Sequence, residues 1–498
     1  MSGPGPVRPW GEIFFDFPGH FPFSTPVAAP VDDDRRLGPR DGIGLRVFFA
    51  RRGVGDDGHR HIPSALARGV DALVVDADWP GSAAVPTLRV ADVREFWSLV
   101  WSRWHGNPDG RLAVHAVTGT NGKTTFVWAL QHLLGPESCG RLSTVDPCED
   151  PFGAGPVPPT TPSAPAVHGA LAAAVAAGKD HFALEISSHA LDQKRLWGLR
   201  LASATFTNLG HDHLDYHGTV EEYFDAKCRL FDGRGGPVPE ICSVGGTTPQ
   251  GRRLRELLLA KKIPVQSFGT DDGCDWQLLQ WKPDGDGMDL CLRAGGEIRA
   301  LRLSLLGEWN ALNLLAALAI AARHRPLDQL CERLRSFSPP PGRMERLCLP
   351  GGALALIDYA HTPDALRAAL ECLRRHFPRG RIILVFGCGG ERDRQKRPAM
   401  AAVAEEFSDF SIVTNDNPRG ESPDAIAAEI CSGFCKNFHR TVLDRRAAIA
   451  LGIRLARRLG RDGILLVAGK GHEHGMEMGG KIFPFQDRRC LEDGGAHG

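Results

Sequence analysis

The stretch that decides the fold runs Leu112-Ala113-Val114-His115-Ala116-Val117-Thr118-Gly119-Thr120-Asn121-Gly122-Lys123-Thr124-Thr125. Its first half, Leu112 to Val117, is a short apolar run of the kind that forms a buried strand in a parallel sheet. Its second half is a glycine-punctuated loop that opens onto a helix. Glycines at such a junction let backbone N–H groups and the helix N-terminus face a phosphate. Lys123 then reaches the β/γ-phosphates, and the Thr124 hydroxyl is placed to bind Mg²⁺. The loop predicts a nucleoside triphosphate and leaves open what happens to the phosphoryl group.

Working outward, Phe182 to Ile186 and Ala204 to Thr207 read as further buried strands, so the surrounding segment is α/β with a parallel sheet. Upstream, Val47 to Ala50 and Ala72 to Val75 read as strands, with helices at Pro63 to Arg68 and around Val93 to Trp104. That alternation predicts a small α/β domain, closed off by the linker Gly106-Asn107-Pro108-Asp109-Gly110. The first thirty or so residues, rich in Pro, Gly and Phe, carry no period. Downstream, turns at Asp284-Gly285-Asp286-Gly287 and Gly295-Gly296 divide Gln277 to Leu306 into alternating runs, which predicts a small antiparallel addition.

Ser338-Pro339-Pro340-Pro341-Gly342 is the sharpest boundary in the chain. Four apolar strands follow (353–357, 382–386, 411–413 and 464–467), separated by helical segments at about 363–377, 397–407, 425–434 and 445–459. That order predicts a doubly wound sheet. The expected fold is α/β in three domains. A small N-terminal domain (1–107) precedes a central P-loop ATPase-like parallel-sheet domain (108–338) and a C-terminal Rossmann-like domain (339–498). The last ten or so residues, ending Gly-Gly-Ala-His-Gly, are expected to fray.

The chain has 498 residues, enough for about three domains. Its 59 Lys+Arg balance 59 Asp+Glu, which argues against a nucleic-acid binder that works through bulk positive charge. The longest apolar run, Ala311 to Ala322, is too short to span a bilayer and reads as a buried helix. The Met-Ser-Gly-Pro-Gly-Pro start has neither a cationic nor an apolar signal region. The 13 cysteines form no C-x-x-C pair, although Cys431 and Cys435 sit four apart on an expected helix. A cytoplasmic protein with reduced thiols is expected.

Within the central segment, Glu185 closes a buried strand beside the phosphate loop, where a second Mg²⁺ ligand belongs. Thr207-Asn208-Leu209-Gly210-His211-Asp212-His213-Leu214-Asp215-Tyr216-His217-Gly218 is dense in ligand-type side chains. Lys227 falls on a helix face with Phe224 and Phe231. Two readings stand for it: a lysine snorkelling along an apolar face, or a buried amine with a depressed pKa that reacts as the neutral form. In the C-terminal segment three motifs lie just after expected strands, where ligands gather in open α/β sheets. These are Gly387-Cys388-Gly389-Gly390-Glu391-Arg392-Asp393, Asp416-Asn417-Pro418-Arg419 and Gly469-Lys470-Gly471-His472-Glu473.

Taken together, from about Phe48 to Asp487 and in order, these motifs resemble the Mur ligases, and within them the UDP-N-acetylmuramoyl-tripeptide synthetases. The resemblance implies that Gly119, Thr120, Asn121, Gly122, Lys123 and Thr124 bind ATP, and that Glu185 and His213 hold Mg²⁺. It implies that Lys227 is carbamylated. Thr160, Thr161, Ser187, Gln193 and Arg195 match positions that hold UDP-MurNAc-L-Ala-D-Glu. Asn310 matches the adenine contact, with Arg343, Asp358 and His361 completing the nucleotide site. Arg392, Asp416, Asn417, Pro418, Arg419, Gly469 and Glu473 would bind the incoming amino acid.

In this family the form Asp-Asn-Pro-Arg is associated with meso-diaminopimelate, whose carboxylate Arg392 and Arg419 can clamp while Glu473 holds a distal ammonium. Three departures are visible. Asp33-Asp34-Arg35 replaces the family's Asp-Ser-Arg near the uridine site, Glu391 stands where Asp is usual, and His474-Gly475-Met476 replaces Asp-Tyr-Gln. The expected activity is ATP-dependent addition of meso-diaminopimelate through an acyl phosphate, in peptidoglycan precursor synthesis, by a monomer with neither nucleic-acid nor membrane partners. Ligation of lysine, ornithine or a folate-type glutamate adduct, and a nucleotide-switched binding module, are the rival readings.

Overall fold

A computed structural model describes residues 30–33, 45–53, 55–146, 150, 159–210 and 212–496. Asp34, Arg35, His211 and the Pro/Gly/Phe-rich start lie outside the described residues.

Three sheets follow one another along the chain. The first is parallel and three-stranded, β1 (Val47–Phe49), β2 (Ala72–Asp76) and β3 (Thr87–Val90), in that spatial order. The helix Val93–Trp104 covers one face with Val93, Phe96, Trp97 and Val100, and Ile62 and Ala65 cover the other.

The second sheet has nine strands: β4 (Ala113–Thr118), β5 (Cys139–Leu142), β6 (His181–Glu185), β7 (Ser203–Phe206), β8 (Ile241–Gly245), β9 (Val265–Gly269), β10 (Trp276–Asp284), β11 (Gly287–Ala294) and β12 (Glu297–Leu303). Their order is β12-β11-β10-β9-β8-β7-β4-β6-β5. From β5 to β10 every pairing is parallel; β10, β11 and β12 pair antiparallel. The expected antiparallel addition is therefore a continuation of the main sheet. Trp276 of β10 pairs with Phe268 of β9, so the edge is extended. β4 lies near the centre, and its neighbours β6 and β7 carry the two other site loops at their C-terminal ends. The helices Lys123–Leu134 and Glu308–Ala321 pack on one face, where Ala311 to Ala321 is almost wholly buried, as its unbroken apolar run requires.

The third sheet runs β13 (Glu345–Cys348), β14 (Leu354–Asp358), β15 (Arg381–Phe386), β16 (Phe410–Val413), β17 (His439–Thr441) and β18 (Gly463–Ala468), in the order β13-β14-β18-β15-β16-β17. The four expected strands form its parallel middle. The sequence reading missed the antiparallel edge strand β13 and the polar edge strand β17, which lack the apolar runs that mark the centre. Helices cover both faces. A hairpin, β19 (Gly475–Met478) and β20 (Lys481–Pro484), leads to a last helix at Asp487–Ala496. The tail expected to fray is thus largely helical, with Cys490 and Leu491 buried against the sheet.

Candidate functional site

At the end of β4 the backbone turns at Gly119 (φ +151°) and again at Gly122 (φ +91°), which caps the helix Lys123–Leu134. A methyl group at Gly119 would meet the Thr207 hydroxyl at 1.9 Å, and one at Gly122 the Asn313 side chain at 2.2 Å. Both positions therefore require glycine on conformation and on space. Between them the loop is pinned from outside: the Asn121 N–H donates to Asn208 Oδ1 (3.0 Å), and Thr207 Oγ1 donates to the Asn121 carbonyl (2.7 Å). Lys123 Nζ folds back onto the carbonyls of Gly119 and Thr120 (2.8 and 3.0 Å). Its ammonium sits over the loop, with its pKa lowered by burial although Glu185 lies near.

Glu185, the last residue of β6, is fully buried. Its carboxylate accepts from the Thr144 hydroxyl (2.9 Å) and N–H (3.3 Å). Burial raises its pKa, with Lys123, Thr124 and Arg343 pulling the other way. Thr161 ties the next turn to the strand. Its hydroxyl donates to the Glu185 carbonyl (3.0 Å) and accepts from the Ser187 N–H (2.8 Å). The Arg195 guanidinium bonds the Thr161 carbonyl and Gln193 Oε1, while Gln193 Nε2 donates to the Tyr216 hydroxyl (3.3 Å). Thr161, Ser187, Gln193 and Arg195 thus form one connected group, with Thr160 on the cavity wall beside it.

His213 takes the left-handed conformation (φ +55°) at the start of a short helix, its ring 3.5 Å from Asp212 and packed on His189. Lys227 lies in the helix Val220–Cys228, whose start is fixed by a capping box between Thr219 and Glu222. Its ammonium lies 4.4 Å from the centroid of the Tyr223 ring, and the residue is 1% exposed. It does not snorkel. Burial drives its pKa well below the ordinary lysine value, and Lys123 pushes the same way.

Residues just before β13, at the end of β14 and in the helix Glu308–Ala321 close the cavity. Arg343 Nη2 donates to the Thr124 hydroxyl (3.5 Å), and its guanidinium lies 4.7 Å from the Tyr359 ring centroid. Asp358 accepts from the N–H groups of Met344 and Ala360 (2.9 Å each), and burial raises its pKa. His361 Nδ1 is 2.9 Å from the Tyr359 carbonyl, in a setting that lowers its pKa by burial. Asn310 Nδ2 donates to the Leu306 carbonyl (2.8 Å). All four line one cavity of about 340 Å³ with Thr120, Lys123, Thr124, Glu185 and His213. Lys227 stands behind that wall, linked to it through Tyr223, whose hydroxyl is 3.1 Å from Thr120 Oγ1.

The C-terminal ends of β16 and β18 meet in a second cluster. Asn417 (φ +42°) donates to Glu473 Oε2 (2.8 Å) and accepts from Lys470 Nζ (2.9 Å). Lys470, wholly buried, also bonds Glu473 (2.7 Å) and lies 3.9 Å from Asp416. Gly469 (φ +111°) has no room for a side chain, because a methyl there would meet Asp416 Oδ2 at 2.4 Å. Arg419 is anchored to Glu477 (3.1 Å) and to the Gly390 carbonyl (2.6 Å), next to the buried Pro418 backbone. Arg392 is exposed and stands apart from this network.

The sequence reading missed several residues here. Lys470 lay inside a quoted motif, but a lysine's burial cannot be read from a glycine-rich string. Glu477 and Asn313 carried no local signal. Arg51, Arg52 and Arg94 reach from the first sheet to line a cavity of about 610 Å³ with Gln193, Tyr216 and His217, a juxtaposition that only the tertiary fold creates.

A phosphate loop at the carboxyl edge of one parallel sheet faces the carboxyl edge of a second across a shared cavity, the arrangement of a nucleotide-binding protein whose site is completed by two sheets. Residues 117–321 match the Mur ligase middle domain, and residues 342–471 match the Mur ligase, glutamate ligase domain. A UDP-N-acetylmuramoyl-L-alanyl-D-glutamate–2,6-diaminopimelate ligase from Acidovorax sp. (strain JS42) is 37% identical over 471 residues, covering 91% of this chain and 92% of its own. Its counterpart from Parasynechococcus marenigrum (strain WH8102) is 39% identical, covering 94% and 95%. A solved structure of a ligase of that name superposes with a TM-score of 0.68 at 29% identity, covering 98% of this chain and 99% of that one. The MurF ligase of Thermotoga maritima in complex with ADP shares the fold, with a TM-score of 0.58 at 19% identity over 87% of this chain and 92% of its own. The chain belongs to the Mur ligase family.

Proposed function

We infer that the protein is an ATP-dependent ligase that adds meso-diaminopimelate to UDP-MurNAc-L-Ala-D-Glu, forming an amide on the D-Glu side-chain carboxylate. The observation that carries this reading is the meeting of Lys123, Thr124 and Glu185 with Arg343 in one cavity. The Arg419, Asn417 and Glu473 network at the neighbouring strand ends supports the choice of amino acid. The domain limits at 107/108 and 338/339, a monomeric state and a cytoplasmic location belong to the same reading.

The phosphate loop orients ATP, and Lys123 swings from its two carbonyl partners to the transferring phosphoryl group. That group passes to the D-Glu carboxylate as its bond to ADP breaks, giving an acyl phosphate and ADP. The amine of the amino acid attacks the acyl carbon, the C–O bond to phosphate breaks, and inorganic phosphate and the amine proton leave. Because charge on the phosphoryl oxygens is the main obstacle, the residues act by positioning and electrostatics. Thr124, Glu185 and His213 are the residues that would hold Mg²⁺. Glu185 fits, since a fully buried carboxylate with a raised pKa and a neighbouring hydroxyl is a setting that a hard cation relieves. Bound there, Mg²⁺ supplies positive charge opposite the phosphates. Lys227, buried and driven toward its neutral amine, is suited to carbamylation by CO₂, which would turn it into an anion behind the loop.

Thr161, Ser187, Gln193 and Arg195 would seat the peptide end of the nucleotide-sugar substrate. Arg419 would receive the distal carboxylate that distinguishes diaminopimelate from lysine, with Arg392 moving in from its exposed position. Phosphate release with diaminopimelate, lysine and ornithine as acceptors tests the reading. A strong preference for diaminopimelate is expected; equal turnover with lysine would sink that assignment, and nucleotide binding with no ligation at all would favour a nucleotide-switched module.

A further inference from the structure

At the opposite end of the central sheet, away from the loops just described, three histidines converge. His115 lies in β4, His181 opens β6, and His324 follows the buried helix Glu308–Ala321. One ring nitrogen from each lies within 4.8 Å of the other two. Nothing in the ligase reaction uses them. Glu185 lies at the far end of the strand that His181 begins, four residues or roughly 13 Å along it. Ligands of open α/β sheets gather at the carboxyl ends of the strands, and this cluster sits at the amino ends.

We propose that His115, His181 and His324 form a binding site for a borderline, nitrogen-preferring divalent cation of which Zn²⁺ is the reference ion. The spacing is the first argument. His115 Nε2 and His181 Nδ1 face each other at 3.2 Å. Two imidazole nitrogens each about 2.0–2.1 Å from a tetrahedral zinc lie roughly 3.3–3.4 Å apart. The contact is a hydrogen bond whose proton a cation would displace, leaving two nitrogens at nearly the separation of paired ligands. His324 is exposed, so a rotamer change brings in the third.

Preorganisation is the second argument. In the parallel register His115 sits opposite Ser203 of β7, and His115 Nδ1 is 2.9 Å from the Ser203 hydroxyl. A proton on Nδ1 shared with that hydroxyl leaves the Nε2 lone pair aimed at the cluster. This is the kind of supporting hydrogen bond that fixes the tautomer of metal-binding histidines. Burial also disfavours protonation of His115 and His181, which lowers the pKa of both rings.

The surroundings select the class of ion. His115, His324, Ser203, Glu240 and Arg323 line a cavity of about 320 Å³. Arg323 and Arg325 repel a cation, while Asp180 and Glu240 attract one. With these charges opposed, a hard ion that relies on carboxylate oxygens gains little, whereas an ion that bonds imidazole nitrogen gains three ligands. Water from the cavity would complete a fourth position. A metal held there would staple β4, β6 and the end of the Glu308–Ala321 helix together.

The test uses the full-length chain without a histidine tag, saturated with Mg²⁺ and ADP so that the nucleotide site is filled. Zn²⁺ is titrated against a chromophoric chelator, and Co²⁺ is added separately to read its visible ligand-field bands. One Zn²⁺ per chain is expected, with Co²⁺ bands of tetrahedral intensity. His324→Ala and, independently, His181→Ala should each weaken Zn²⁺ binding by at least roughly 10–100-fold and abolish the bands. ADP affinity should be unchanged, which shows that the variants fold. Absence of Zn²⁺ binding to the parent chain, or equal affinity in either correctly folded variant, would overturn the proposal and leave the cluster as packed, hydrogen-bonded imidazoles.

Discussion

Lys227 owes its character to burial that its local sequence only half reveals. Its spacing with Phe224 and Phe231 predicts one apolar helix face; all three are buried, but the helix ends at Cys228 and Phe231 packs from the turn beyond it. Spacing could not say whether the ammonium escaped to solvent; the structure holds it over Tyr223. Lys227→Ala is therefore expected to lower ligation by roughly 10²–10³-fold, the usual scale for losing one preorganised electrostatic group. ADP affinity should be nearly unchanged, and added formate or acetate should restore part of the rate. Phosphate-release assays check this, and undiminished activity would return Lys227 to packing. Arg419 supports a second expectation. It is anchored through Nε and Nη1, and among the described residues nothing bonds Nη2. Arg419→Lys keeps the charge but loses the fork, so kcat/KM for diaminopimelate should fall by about 1.5–3 kcal/mol, or roughly 10–100-fold, with KM for ATP held.

At the scale of elements, central strands were legible because they are continuous apolar runs, while edge strands and the last helix were not. Gly494-Gly495 near the chain end suggested fraying, but the helix is held by a contact that no local pattern reveals. Arg445 and Asp487 form a fully buried pair at 2.7 Å, and Arg445 also bonds the carbonyls of Asn415 and Ala468. One guanidinium thus fixes the last helix and the turns that precede Asp416 and Gly469. Asp487→Ala leaves that cation buried and unpaired. It should cost about 3–5 kcal/mol in chemical denaturation and raise KM for the amino acid before it touches KM for ATP. A second element-level link joins the Gly389–Glu391 turn to the Arg419 turn. Arg397, fully buried, bonds Glu421 and holds its carboxyl down to about 2 from 4.5. A depressed carboxylate pKa stabilises the fold fully above about 4.5 and less as pH falls toward 2. Glu421→Gln should therefore lower stability at neutral pH and flatten the acid limb of a stability–pH curve. An unchanged limb would assign acid unfolding to other groups.

At the scale of the whole molecule, length and the proline-rich break implied three parts, and balanced charge argued against bulk attraction to polyanions. The structure reconciles that balance with anionic substrates. Cations and carboxylates face the same cavities, Arg51, Arg52 and Arg94 beside Asp192, Glu222 and Asp225 in one and Lys123 and Arg343 beside Glu185, Asp212 and Asp358 in the other, so local placement rather than net charge serves anion binding. Because Arg343 comes from one sheet and Thr124 from another, nucleotide bound as proposed would bridge both and should couple them energetically. Arg343→Ala tests this at a side chain whose loss disturbs little else: its 3.5 Å contact with Thr124 is long, and its stacking on Tyr359 is worth about 0.5–2 kcal/mol. The apo melting temperature should move by a few degrees at most. KM for ATP should rise at least about tenfold, and the upward shift in melting temperature produced by ADP should shrink by the corresponding RT ln 10, about 1.4 kcal/mol. In scattering measurements the parent chain should become more compact with nucleotide, and the variant less so at equal saturation. If the variant compacts as fully as the parent at matched occupancy, Arg343 contributes affinity alone and the coupling between the sheets runs through other contacts.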